Sequence, residues 1–129
     1  MGVALGVGAA SIVGDISALI TSNTTVVANN VASSVPANIE TTIVSYSTGA
    51  TATYITTILC SGQQYGKFRY FENLTPLIVL RGGSDRNVLF TINTPLKVAA
   101  GVTIDIKVTH FNTGDLPDFE ASILGYKGP

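Results

Sequence analysis

"VTIDIKVTHF", residues 102–111, is the stretch that decides the fold. Val102, Ile104, Ile106 and Val108 fall on one side of it, and Thr103, Asp105, Lys107 and Thr109 on the other. A period of two marks a strand with one face buried. His110, the only histidine, continues the apolar side where the strand meets a loop. A structural histidine is expected there. A Ser–His–carboxylate site would also want a GxSxG-like elbow, and no such motif accompanies it.

Working outward, "RNVLFTI" (86–92) repeats the alternation with Val88, Phe90 and Ile92 inward. "IETTIVSY" (39–46) and "TATYITTILC" (51–60) are rich in Thr, Ile, Val and Tyr, which suit a pleated surface. "GKFRYFE" (66–72) and "FEASILGY" (119–126) read the same way, and "PLIVL" (76–80) reads as a short strand buried on both faces. Between these runs lie the turn clusters "SGQQYG", "RGGSD", "NTP", "AAG" and "NTGDLPD". Turn signals at about 8–12-residue spacing indicate a sandwich or barrel. The expected fold is all-β, a single jelly-roll-like antiparallel β-sandwich over residues 37–129.

The chain changes character near Pro36. Asp15 is the only charged side chain before it. Ile12, Leu19 and Val26 recur seven apart, as do Ile16, Asn23 and Asn30. These rows fit positions d and a of a short coiled coil, with Asn at two a positions setting register. Thr, Val, Asn and Ser are poor helix formers, so an extended arm lying on another subunit is the alternative. Either way residues 1–36 are expected to be an assembly arm that needs a protein partner. Its interface residues would be Ile12, Ile16, Leu19, Asn23, Val26 and Asn30.

Of the 129 residues, 46 % are hydrophobic and only 12 % charged, about half the charged share of an ordinary soluble domain. A deficit of this size points to surface covered by other protein, with a threonine-rich, neutral β surface as the alternative. The net charge of −1 argues against nucleic-acid binding, which draws on many Lys and Arg. Asp15 interrupts the first apolar run too early for a membrane span, and no basic region precedes that run as in a secretory signal. No targeting segment is read, and synthesis in the cytosol is the expectation. Cys60 is the single cysteine and sits in the apolar run "TTILCSG", as a small buried hydrophobe would.

Chemistry-bearing clusters are few. Asp115, Asp118 and Glu120 share one loop, read as a solvated acidic turn with a cation site as the sharper alternative. "RGGSDRN" (81–87) lacks the Gly-Lys-Ser/Thr of a phosphate loop, so Gly82 and Gly83 are assigned to a tight hairpin turn. Lys67 and Arg69 alternate with Phe68 and Tyr70, which puts both charges on one strand face. A possible ligand surface would use loops 61–66, 81–87 and 112–118, with Tyr65, Arg81, Asp85 and Arg86, and Tyr65, Tyr70 and Tyr126 as aromatic platforms for a glycan. No cofactor, metal or catalytic constellation is expected, and the chain does not read as an enzyme.

The segment "PLKVAAGVTIDIKVTHFNTG" closing with "FEASILGY", behind a charge-poor amino-terminal segment, resembles small virion proteins of tailed bacteriophages. These are capsid decoration (cement) proteins and short head or tail fibres. The resemblance implies a structural virion protein that binds the major capsid or another virion protein through its arm and projects the sandwich outward. It also implies a homo-oligomer, with a trimer as the expected form. The alternative is a glycan- or receptor-binding module of a fibre or adhesin.

Overall fold

The computed structural model describes residues 25–83 and 88–128. Eight strands form among them: β1 (Thr25–Ala32), β2 (Thr41–Ser47), β3 (Thr53–Gly62), β4 (Tyr65–Glu72), β5 (Thr75–Gly83), β6 (Val88–Val98), β7 (Thr103–Thr109) and β8 (Phe119–Lys127). No helix occurs among the described residues.

The strands make two antiparallel four-stranded sheets, in the orders β1-β8-β3-β6 and β2-β7-β4-β5. Pairing is nested: first strand with last, second with seventh, third with sixth, fourth with fifth. That is the connectivity of a jelly roll, two interleaved Greek keys that fold one long hairpin into a sandwich. The all-β sandwich expected from the alternating runs is the fold observed.

The core lies between the sheets. Ile104, Ile106 and Val108 of β7 face Ile55 and Ile58 of β3 and Phe119 and Ile123 of β8, all fully buried. Burying each such side chain is worth about 1.5–3 kcal/mol. Phe68 and Phe119 meet edge to face across the sheets at 5.8 Å. Cys60 and His110 are buried with them.

Four expectations need correction. Residues 25–32 are not an arm outside the sandwich but its first strand, paired with β8 from Thr25↔Gly125 to Ala32↔Phe119. The domain therefore begins no later than Thr25, and a boundary at Pro36 would cut through it. The heptad reading of Val26 and Asn30 gives way to the ladder because Thr, Val and Asn gain little from a helix, whereas the edge of β8 offers a full set of amides. Asn30 Nδ2 also donates to the carbonyl of Ile43 at 3.1 Å, tying β1 to the second sheet.

Second, "PLIVL" is not buried on both faces. It lies in the edge strand β5, where Leu77 and Val79 are 54 % and 50 % exposed while Ile78 and Leu80 pack inward. Third, "NTP" does not end a strand. β6 runs through it, and the pairing with β3 jumps from Thr57↔Thr91 to Ile55↔Leu96, so the segment bulges out of the ladder. Fourth, Gly82 and Gly83 are the last residues of β5, paired with Gly66 and Tyr65.

The connections gather at the two ends. At one end the 33–40, 63–64 and 110–118 segments are bound together: Val35 N–H donates to Pro117 O, Gln63 N–H to Asp118 O, and Asn38 N–H to His110 O. At the other, Thr48 Oγ1 donates to Ala99 O at 2.8 Å and accepts from Val102 N–H at 3.0 Å.

Candidate functional site

The two outer faces of the sandwich differ in chemistry, and this difference is what the fold has to offer a partner. On the first sheet the outward positions of adjacent strands line up by register. Asn29, Ser122, Leu59 and Leu89 form one cross-strand row, and Leu124, Thr57 and Thr91 form the next. Neither row holds a charge. Leu89 is 63 % exposed. Tyr54 and Tyr126 stack beyond these rows, their rings 5.2 Å apart. Glu120 lies at the near end of the face and Lys97 at the far end, while Lys127 turns over the end of the sandwich to donate to the Thr48 carbonyl at 2.7 Å. A sheet face turned to water usually alternates with charged residues; the centre of this one is Leu, Thr, Ser and Asn.

The second sheet gathers the cations. Lys67 lies opposite Arg81, and Arg69 opposite Lys107. The Arg69 guanidinium and the Lys107 ammonium sit over the Phe71 ring at 4.8 and 4.7 Å, which covers that ring although it lies on the outer side. Arg69 binds Glu40 through two hydrogen bonds of 2.7 and 2.8 Å, the one ion pair among the described residues. The hydrogen bond from Arg69, working against partial burial and helped by the charges of Arg69, Lys107 and Lys67, holds the Glu40 carboxyl below its usual range.

At the loop end a shallow cleft of about 450 Å³ is lined by Val31, Ser61, Gly62, Gln63, Asp118, Phe119 and Glu120. The three acids of the loop do not converge. Asp115 accepts from Gln64 and Asn112, Asp118 from the Ser34 N–H, and Glu120 from Ser61. Among the described residues no group of His, Cys, Asp and Glu is placed to hold a metal ion. His110 Nε2 donates to the Val35 carbonyl at 2.7 Å, and Nδ1 accepts the Asn112 N–H at 3.3 Å. Both ring nitrogens serve the backbone, which joins the β1–β2 connection to the end of β7. The hydroxyl of Ser61 in the cleft is turned to Glu120, 2.8 Å away.

Of the expected interface residues, Ile12, Ile16, Leu19 and Asn23 lie outside the described residues, while Val26 and Asn30 belong to β1. Of the ligand-loop residues, Tyr65 is 56 % exposed at the loop end and Arg81 is exposed on the cationic face. Asp85 and Arg86 lie outside the described residues. Tyr70 cannot be an aromatic platform: it is buried in the core, its hydroxyl donating to Glu72 at 2.8 Å. The uncharged face escaped the sequence reading because it is assembled from strands far apart in the chain. Its signal was present in the neutral outward positions of "TATYITTILC" and "FEASILGY".

Set against protein-family models, curated proteins and solved structures, the chain has no match in any of the three.

Proposed function

We propose that the chain is a structural protein of a virus particle, a capsid decoration protein or short head fibre of a tailed phage, which assembles through neutral protein surface. The uncharged centre of the outer face of the β1-β8-β3-β6 sheet, between Glu120 at one end and Lys97 at the other, is the observation that carries this reading. Exposed Leu89 and half-buried Leu59 and Leu124 among Thr, Ser and Asn, without charges between them to repel a neighbour, suit a dry protein–protein contact. Residues 1–24 add more chain of the same kind, uncharged apart from Asp15. Jelly rolls serve virus capsids, and equally lectins and other sites, so the connectivity agrees with the reading without carrying it.

The test is the solution mass of the full chain by light scattering. Wild type is expected to be an oligomer, with a trimer as the predicted form. Leu59→Lys with Leu89→Lys should lower the mass while leaving the circular dichroism unchanged and the melting midpoint only modestly lowered, by the two like charges that it sets opposite each other. The reading is overturned if this variant and Ile16→Asp with Leu19→Asp both retain the wild-type mass.

A second reading rests on exposed Tyr65 beside Lys67 and Arg81, an aromatic and cationic group that suits an anionic glycan. Specific glycan binding lost in Tyr65→Ala would favour it.

A further inference from the structure

We infer that copies of this chain dock head to tail through charge, the acidic loop end of one copy seating on the cationic outer face of the β2-β7-β4-β5 sheet of the next. The inference deepens the assembly reading above by naming a second contact and its partner.

The cationic face is built in a way that disfavours the isolated molecule. Like charges directly opposite on adjacent strands destabilise a sheet, yet Lys67 faces Arg81 and, two residues along β4, Arg69 faces Lys107. Glu40 forms its ion pair with Arg69 and reaches Lys107 and Lys67 only through space, and Asp105, the other acid of this face, is 7 % exposed. Lys67, Arg81 and Lys107 are left without a carboxylate within ion-pair distance among the described residues. An anionic surface laid over this face would relieve both like-charge pairs.

The same chain carries the complement. Asp115, Asp118 and Glu120 receive hydrogen bonds from amides, a backbone N–H and a hydroxyl, all neutral donors. Glu120 projects from the outer face of the first sheet, opposite Val31 and Ser61 in register, whereas Lys107 projects from the outer face of the second. The sandwich core lies between them, so one copy cannot use its own Glu120 to neutralise its own Lys107. A second copy can. Different patches meeting in this way form a heterologous contact, which closes into a ring or continues as an open array.

A second copy also fits better than nucleic acid. Polyanion binding relies on a field from many cations, and this chain has seven Lys and Arg against eight Asp and Glu.

The experiment uses the full chain and sedimentation velocity. Lys67→Glu with Arg81→Glu should weaken self-association at least tenfold, and so should Asp115→Lys with Glu120→Lys. Asp118 is left intact because it caps the Ser34 N–H. The decisive arm mixes the two variants in equal amounts. Each alone opposes like charges, but in the mixture every contact between unlike variants is complementary, so association between the two should recover. Raising NaCl from 0.1 to 1 M, which shortens the screening length from about 10 to about 3 Å, should weaken wild type and mixture alike. Should a charge-reversed variant fail to fold, Lys67→Gln with Arg81→Gln and the salt series test the same contact. The inference is overturned if the mixture does not recover, or if association is indifferent to salt. It is equally overturned if the Lys67→Glu, Arg81→Glu variant keeps its mass and loses only binding to heparin or duplex DNA. Charge variants of wild-type mass beside a Leu59→Lys, Leu89→Lys variant of lowered mass would defeat this inference and leave the neutral-face assembly standing.

Discussion

Cys60 sits fully buried on β3, and burial pushes its thiol up to about 12. At neutral pH it is a protonated, enclosed group, so thiol reagents should label the native protein negligibly and label one equivalent once it is unfolded. The same shift makes stability depend on pH. The unfolded chain loses this proton near an ordinary thiol value of about 8.5 and the folded chain only near 12. Between those values the folded state holds the extra proton, so stability is full below about 8.5 and falls as pH rises. Tyr70, raised by burial and by Glu72, adds its own loss above its unfolded value of about 10. Urea midpoints measured from pH 8.5 to 10 should therefore decline in wild type and stay level in Cys60→Ala; equal slopes would contradict this account. At this scale much was legible. Alternation in residues 102–111 placed Ile104, Ile106 and Val108 inward, and His110 after them. What alternation could not show is that Asp105, on the outward side, would be covered by its neighbours, because cover comes from residues distant in sequence.

The strands show where local pattern is enough and where it fails. β3, β4, β7 and β8 were readable because they lie centrally in their sheets and must bury one face. Two of the four edge strands misled. β5 is apolar on both sides yet has one side in water, and β1 lacks clear alternation and was taken for an arm. An edge strand has one neighbour, so its composition is only half constrained. β3 and β8 lie close at Gly125, beside the Ile55/Thr57 register irregularity of β3. A Cβ at Gly125 would overlap the carbonyl oxygen of Tyr54. Backbone cannot move aside as a flexible side chain can. Gly125→Ala should therefore cost about 1–3 kcal/mol or more, read as a lowered denaturation midpoint. An unchanged midpoint would mean that the two strands lie farther apart than described.

For the whole molecule, nested pairing makes the ends of the described chain interdependent. A chain beginning at Thr25 keeps every described strand. A chain beginning at Pro36 loses β1, strips the edge of β8 and uncovers the core beside Ala121 and Ile123. It should melt broadly or aggregate; a sharp transition near the wild-type midpoint would show β1 to be dispensable. The architecture could be anticipated from strand number and turn spacing, but the division into one neutral and one cationic face could not, because it depends on which strands become neighbours. The β1–β8 pair has a further consequence, in time rather than space. Ala32 finds its partner Phe119 only after 86 intervening residues have been made, a delay of roughly 5–20 s at ordinary rates of synthesis. Until then the first strand has no edge to join. Closure of this jelly roll thus waits until residues 119–125 have been made, and its folding is slowed by loops that must shut before their contacts repay them.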